Sequence, residues 1–196
     1  MPLPFRITVC GIDELTGHCE AGISHVLSIL DPGHPEPSAF GAFGEHVKLE
    51  LRFNDIIEET PGMLRPSQMH VDELLGFGRT LPAEQDAHLL VHCHAGISRS
   101  SASMVLLLAQ AMPDRPAEAV FAEVLRIRPN IWPNLHILEL GDAALKRGGT
   151  LPEAASAVYR MQLDRRPELA EYYGTSGRGR EVAAGLRARS AGFGTR

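Results

Sequence analysis

Cysteine and long apolar runs are scarce in this chain of 196 residues, and each scarcity excludes a class of protein. Three cysteines (Cys10, Cys19 and Cys93) supply neither a disulfide framework nor a zinc pattern, which favours a reducing environment. The longest apolar run, from Met104 to Met112, has half the length of a membrane span. The N-terminus lacks the cationic and apolar regions of a secretory signal. We therefore expect a cytoplasmic protein without a membrane span.

Positive charge is also scarce, and it is unevenly distributed. The net charge is −5, which argues against nucleic acid as the main partner. Residues 1–150 hold 11 basic and 19 acidic side chains, whereas the segment from Arg178 onward has five arginines against Glu181 alone. We interpret this basic segment as a solvated tail. The alternative is that it docks on the acidic body or on an anionic partner.

The hydrophobic pattern predicts an α/β fold. Buried or alternating apolar runs predict strands over residues 5–9, 26–30, 47–53 and 89–91. Residues 31–44 are rich in proline and glycine and predict a surface loop. Helical periodicity predicts helices that begin near Ser67, Ser100, Pro116 and Asn134. This order predicts a central, mainly parallel sheet with helices on both faces.

The chain divides into two predicted units. Residues 1–149 form the main unit, and residues 150–196 form a helical, arginine-rich C-terminal extension. Within the extension the pattern predicts helices over 152–162 and 168–173, followed by a flexible stretch over 174–179. The extension contains no recognisable motif.

The most informative segment runs from Leu89 to Ala102 and reads LLVHCHAGISRSSA. A buried strand leads to Cys93, five loop residues follow, and Arg99 stands at the start of an apolar helix. Such a loop directs its backbone N–H groups at one point, where the helix dipole adds positive potential, so it binds phosphate. The same field favours the thiolate form of Cys93.

The residues around this cysteine complete the pattern. Gly96 supplies the backbone freedom that a tight loop requires. Arg99 can hold two phosphate oxygens with its planar guanidinium group, which lysine cannot do. Ser100 places a hydroxyl near the thiolate, where it eases the departure of sulfur. We expect the remaining loop residues to line the phosphate site: His94, Ala95, Ile97 and Ser98.

Two histidines flank the cysteine. We expect His92 to steady the loop through a hydrogen bond and His94 to line its rim. The alternative is that the two bind a metal ion, but the nine histidines of the chain are scattered without a supporting cluster. We therefore expect neither a metal nor an organic cofactor.

The pattern HC-x5-RS resembles the signature of the cysteine-dependent protein tyrosine phosphatase superfamily, and CHAGISRSS is most similar to its dual-specificity branch, of bacterial type. Residues 128–134, RPNIWPN, resemble the segment that opens the last core helix of that family. With the upstream strand, the match covers roughly residues 45–147. The resemblance implies a phosphatase-like fold, Cys93 as nucleophile, Arg99 as phosphate ligand and a phosphocysteine intermediate.

The resemblance also implies a general acid on a separate loop upstream of the cysteine. The candidate is Asp55, which follows the alternating strand and lies 38 residues before Cys93. A different role for Asp55 is to cap a helix after Asn54. The alternative acids are Glu58 and Glu59, followed by Asp72 in a helical pattern and Asp86 in a turn.

Together these residues predict a phosphatase that hydrolyses phosphate monoesters of tyrosine, serine or threonine in proteins. Among the loop residues only Arg99 is basic, which disfavours inositol compounds that carry several phosphates. The partner is then a phosphorylated protein or a small phosphate ester. The alternatives are an inositol-phosphate or other small-molecule phosphatase, a rhodanese-like sulfurtransferase and a phosphate-binding module without catalysis.

Overall fold

A four-stranded parallel sheet lies at the centre of the protein. The computed structural model describes residues 3–81 and 86–188, and within these residues the strand order is β1-β4-β2-β3. The strands are Arg6–Cys10 (β1), His25–Leu30 (β2), Val47–Arg52 (β3) and His88–His92 (β4). The two central strands, β2 and β4, are buried along their whole length, which is typical of strands covered on both faces. The parallel arrangement brings the C-terminal ends of all four strands to one edge.

Helices connect the strands and continue after the last of them. They are Gln68–Gly78 (α1), Arg99–Ala111 (α2), Ala117–Ile127 (α3), Leu135–Ala144 (α4), Thr150–Arg165 (α5), Leu169–Thr175 (α6) and Gly179–Arg187 (α7). The first four begin within a residue of their predicted starts. In the described ranges no helix is both long and apolar enough to cross a membrane.

The two faces of the sheet are covered differently. One face packs against the α-helices and forms the larger core around α2. On the other face two short 3₁₀ helices, Ile12–His18 and Ser38–Ala42, place Leu15 and Phe40 against the sheet residues Val26 and Leu90. The predicted parallel sheet with helices on both faces is confirmed. The loop predicted over residues 31–44 contains the second 3₁₀ helix, because the side chain of Phe40 packs inward.

The C-terminal helices pack tightly on the rest of the protein. The Asp142 carboxylate of α4 accepts hydrogen bonds from the backbone N–H groups of Gly149 and Leu151, which connects α4 to the start of α5. Helix α5 packs against α3 and α4, and α7 packs against α5. A Cβ at Gly185 would lie 2.8 Å from Cβ of Tyr159, so α7 approaches α5 closely only with glycine there. The boundary at residue 149 stays a prediction, and residues 189–196 lie outside the described residues.

Candidate active site

The predicted phosphate loop, residues 93–99, lies at the C-terminal edge of the sheet between β4 and α2. Gly96 has a φ of +69°, in the left-handed region that favours glycine. A Cβ on Gly96 would lie 2.5 Å from the carbonyl carbon of Cys10, at the end of β1. Both the turn of the loop and its close approach to the neighbouring strand therefore require glycine at this position.

The orientation of the loop's peptide groups favours an anion inside it. Four of its carbonyl groups accept hydrogen bonds of 2.9–3.4 Å from groups outside the loop. These carbonyls belong to His94, Ala95, Ile97 and Ser98, and their donors are Ile12, Arg128, Trp132 and Asn134. No protein group in the described part of the chain accepts a hydrogen bond from the backbone N–H groups of residues 94–98. These donors are therefore available to an anion such as phosphate.

Cys93 lies at the base of the phosphate loop, buried, where β4 ends. Its Sγ atom is 3.2 Å from Oγ of Ser100, in the first turn of α2. At this distance the Ser100 hydroxyl can donate a hydrogen bond to a thiolate. Burial raises the pKa of the neighbouring Cys10 thiol to about 12 and keeps it protonated.

Arg99 is buried and oriented by two acceptors. Its Nη1 atom donates to Oδ1 of Asp31, at 2.6 Å, and to the backbone carbonyl of Phe53, at 2.7 Å. Its Nε atom is buried and has no acceptor among the described residues. The Nε edge of the guanidinium group is thus available for a phosphate oxygen. The sequence placed Asp31 only within the loop predicted over residues 31–44. The one signal of its role is its position directly after β2, at an edge where α/β folds build their sites.

His92 lies below the phosphate loop. Its Nε2 atom is 2.8 Å from Oγ of Ser28 on the neighbouring strand, and its Nδ1 atom is 3.4 Å from the carbonyl oxygen of Cys93. Burial lowers the pKa of His92 to about 4, so the ring is neutral. These contacts are those expected of a residue that steadies the loop.

His94 lies at the rim of the loop, where its Nε2 atom accepts a hydrogen bond of 3.3 Å from the backbone N–H of Asp31. Burial, together with the positive charge of Arg99, lowers the pKa of His94. The rings of His92 and His94 thus bind different partners, which does not favour the alternative in which the two bind one metal ion. Among the described residues no group of three or more His, Cys, Asp or Glu side chains has the arrangement of a metal site.

Asp55 reaches the phosphate loop from the segment that follows β3. Its Oδ1 atom accepts hydrogen bonds from Oγ of Ser98, at 2.7 Å, and from Nδ2 of Asn134, at 2.9 Å. Nη1 of Arg178 lies 3.2 Å from the same oxygen. The helix-cap role of Asp55 is wrong, because no helix begins directly after Asp55, and the next one starts only at Gln68.

The charges around Asp55 favour its ionised form. Burial by itself would raise the pKa of this carboxyl group. The positive charges of Arg178 and Arg99 and the hydrogen bonds from Asn134 and Ser98 outweigh burial and hold the pKa below its ordinary value. The alternative acids all have exposed side chains, and none lines the cavity over Cys93: Glu58, Glu59, Asp72 and Asp86.

A cavity of about 250 Å³ opens over the phosphate loop. Asp55, Cys93 and loop residues form one side of it. The other side belongs to residues 169–187, which we call the C-terminal segment; its lining residues are Tyr172, Tyr173, Ser176 and Arg178. This half of the site was not predictable from the sequence, because no motif marks the C-terminal segment.

The interpretation of the basic segment as a solvated tail is wrong for its first two arginines. Arg178 is buried and pairs with Glu181 and Asp55, while Arg180 pairs with Glu58 and Glu139. The alternative, docking on the acidic body, describes these residues correctly. Arg99 is therefore not the only cation at the cavity, although the carboxylates of Asp55 and Glu181 neutralise the second one.

Comparison with known proteins identifies the fold. No protein-family model and no curated protein matches the sequence. The human tyrosine phosphatase-like serine/threonine/tyrosine-interacting protein aligns with a TM-score of 0.55 and 18% identity, over 72% of this chain and 91% of that one. PTPMT1 in complex with PI(5)P aligns with a TM-score of 0.54 and 16% identity, over 72% and 91%. DUSP15 aligns with a TM-score of 0.52 and 20% identity, over 85% and 95%.

These alignments confirm the predicted phosphatase-like fold, which the chain shares with these solved proteins. At 16–20% identity the similarity establishes the fold alone. Function must then be argued from the site. The bacterial type stays a prediction.

Proposed function

We propose that this protein is a cytoplasmic, cysteine-dependent phosphatase that hydrolyses phosphate monoesters, with phosphorylated proteins as its substrates. One observation carries the proposal: the Cys93 thiol, the available N–H groups of its loop, the guanidinium of Arg99 and the carboxyl of Asp55 meet at one cavity. A nucleophile, an anion site and an acid are the parts that phosphoryl transfer requires.

In the first step the Cys93 thiolate attacks phosphorus from the base of the loop. The S–P bond forms while the P–O bond to the leaving group breaks. The electron pair of that bond stays on the leaving oxygen, which takes a proton from the carboxyl group of Asp55. The loop N–H groups and Arg99 stabilise the negative charge on the transferring phosphoryl group.

In the second step water hydrolyses the phosphocysteine. The water oxygen attacks phosphorus and gives a proton to the Asp55 carboxylate, which restores the acid. The S–P electron pair returns to the sulfur of Cys93, where a hydrogen bond from Ser100, 3.2 Å away, stabilises the leaving thiolate. The products are inorganic phosphate and the dephosphorylated alcohol or phenol.

The lining of the cavity favours phosphotyrosine among the protein substrates. Tyr172 is 64% exposed and Tyr173 lies behind it, with ring centroids 5.0 Å apart in an edge-to-face arrangement. Aromatic side chains favour another aromatic ring beside them. An inositol compound with several phosphates needs a second cation beside Arg99. Arg178 is less available for this role, since it is already paired with the carboxylates of Asp55 and Glu181.

The test is turnover of an aryl phosphate with an excess of chelator, with and without orthovanadate. We expect chelator-resistant hydrolysis that vanadate inhibits. Cys93→Ser removes turnover and keeps tungstate binding, because backbone N–H groups and Arg99 form the anion site. Rapid acid quenching of the native enzyme and mass spectrometry should find the phosphoryl group on Cys93.

Cys19→Ser is the matched control, because Cys19 is a half-buried thiol that does not line the cavity. It should keep native turnover. Hydrolysis by Cys93→Ser at the native rate contradicts the proposal. Sulfur transfer from thiosulfate to cyanide without phosphatase activity indicates the rhodanese-like alternative, and tungstate binding without any turnover indicates a phosphate-binding module.

A further inference from the structure

Arg178, at the start of α7, is buried beside the candidate active site, with only 5% of the residue exposed. Its Nε and Nη2 atoms donate to the two carboxylate oxygens of Glu181, both at 2.7 Å. Its third nitrogen, Nη1, lies 3.2 Å from Oδ1 of Asp55. The guanidinium group therefore connects the C-terminal segment to the candidate general acid.

The position of Arg178 is fixed by a carboxylate that is itself fixed. Glu181 is completely buried and also accepts hydrogen bonds from Nε1 of Trp132, at 2.6 Å, and from the backbone N–H of Leu135, at 2.9 Å. Tyr173 of α6 stacks on the indole of Trp132, with ring centroids 4.1 Å apart. Such a fully bonded buried network gives its members one defined geometry.

The contacts of Asp55 distinguish its two oxygens. Oδ1 receives three donors: the hydroxyl of Ser98, the side-chain amide of Asn134 and the guanidinium of Arg178. Oδ2 has no protein partner in the described part of the chain, and the side chain is 31% exposed. Because donors crowd Oδ1, a proton on the neutral acid resides on Oδ2.

We propose that Arg178 is a positioning residue for proton transfer by Asp55, so that the C-terminal segment is part of the catalytic apparatus. This inference rests on the proposed phosphatase function. Arg178, with Ser98 and Asn134, holds Oδ1 and directs the protonated Oδ2 towards the leaving oxygen. When the P–O bond breaks, that oxygen takes the proton from Oδ2 and Asp55 becomes a carboxylate facing Arg178.

Arg178 also affects the pH at which Asp55 works. The charged or titratable groups around Asp55 are Arg178, Arg99, Cys93, His94, Tyr159 and Tyr173. Burial raises the pKa of Tyr173 to about 12 and that of Tyr159 well above its ordinary value, so both tyrosines stay neutral. Removing the positive charge of Arg178 should therefore raise the pKa of Asp55.

The experiment compares Arg178→Met with the native full-length chain on aryl phosphates whose leaving phenols range from acidic to basic. We expect a loss of about tenfold in kcat for the most basic phenol and less than about twofold for the most acidic one, since proton donation matters most for a poor leaving group. The fall of kcat/KM that accompanies deprotonation of Asp55 should move to higher pH. In an Asp55→Asn background the same change should have no further effect on the leaving-group dependence.

Arg180→Met is the matched control, because Arg180 lies on the same helix and pairs with Glu58 and Glu139 without touching Asp55. It should keep the native leaving-group dependence. Trp132, the single tryptophan of the chain, reports by its fluorescence whether α6 and α7 remain docked. If Arg178→Met does not fold, Arg178→Lys and Glu181→Gln serve instead, with a smaller change in the same direction.

Two results overturn the inference. One is an equal loss on all phenols with native Trp132 emission, which means that Arg178 acts on binding or on the fold. The other is native activity on all phenols in folded Arg178 variants. A native chain that hydrolyses no ester contradicts the proposed function instead, so the two failures are distinguishable.

Discussion

The phosphate loop and the C-terminal segment line the same cavity, but they are built in different ways. The loop is continuous in sequence and works mainly through its backbone, with Gly96 permitting the turn. The C-terminal segment works through side chains whose partners are far away in sequence: Arg178 contacts Asp55, and Glu181 contacts Trp132. Half of a site can thus have a sequence signature while the other half has none.

The energetics of the two regions differ as well. The loop presents unpaired N–H groups that a bound anion satisfies, so ligand binding stabilises it. The C-terminal segment depends on a buried ion pair between Arg178 and Glu181, and removal of one partner of such a pair typically costs about 3–5 kcal/mol of stability. Substitutions in the loop should therefore affect mainly the catalytic rate, whereas substitutions in the C-terminal segment should affect both the stability of the protein and the catalytic rate.

Arg99→Lys should have the largest effect among the variants that sharpen this comparison. Lysine keeps the charge but cannot contact Asp31, the Phe53 carbonyl and a phosphate oxygen at once. We expect kcat for an aryl phosphate to fall by about 10²–10³-fold, which corresponds to about 3–4 kcal/mol of lost transition-state stabilisation. Steady-state kinetics measures the loss. Arg115→Lys, in a half-buried pair with Glu123, is the control, and a native rate in Arg99→Lys contradicts the assigned role.

Asp55→Asn should have the next largest effect, and one that depends on the substrate. For a phosphoserine peptide, whose leaving oxygen is basic, we expect a loss of about 10²-fold, but little loss for an activated aryl ester. Because the pKa of Asp55 lies below its ordinary value, native kcat/KM on the peptide should already fall as pH rises through the acidic range. Asp55→Asn removes that fall.

Rate measurements on both substrates across the pH range check this prediction. Asp72→Asn is the control, because Asp72 is exposed on α1 and does not line the cavity. An equal loss on both substrates would mean that Asp55 has a structural role. Glu58→Gln is then the next variant to compare.

Tyr172→Ala should have the smallest effect and tests whether the C-terminal segment selects substrates. An edge or stacking contact between aromatic rings contributes about 0.5–1.5 kcal/mol. We therefore expect KM for a phosphotyrosine peptide to rise by about two- to tenfold, while KM for a phosphothreonine peptide and both kcat values stay near native. Tyr172→Phe should restore the native KM.

The control for Tyr172 is Leu186→Ala, which removes another exposed apolar side chain of the C-terminal segment away from the cavity. Equal KM changes for both peptides in Tyr172→Ala indicate that the ring contacts the peptide rather than the phosphorylated residue. The phosphotyrosine preference would then be wrong.

The strands, the first four helices and the residues of the phosphate loop were predictable because their signals are local. Alternating or continuous apolar runs marked the strands, and the spacing from Cys93 to Arg99 marked the loop. The 3₁₀ helix at Ser38–Ala42 was missed, because the proline and glycine content around it is typical of a surface loop and its inward contact depends on Phe40 alone. The contact of Asp31 with Arg99 was missed, because an aspartate directly after a strand has the same sequence pattern whether it only begins a turn or also binds a distant arginine.

The sequence by itself determined the parallel α/β architecture, the position of Cys93 at the end of a central strand and the loop that leads to Arg99. These features depend on residues close together in the chain, so periodicity and spacing reveal them. Only the tertiary structure decided that three donors converge on one oxygen of Asp55 and that Arg178 is one of them. The physical reason is that buried charges must find partners wherever the fold brings them, and that requirement leaves no pattern along the chain.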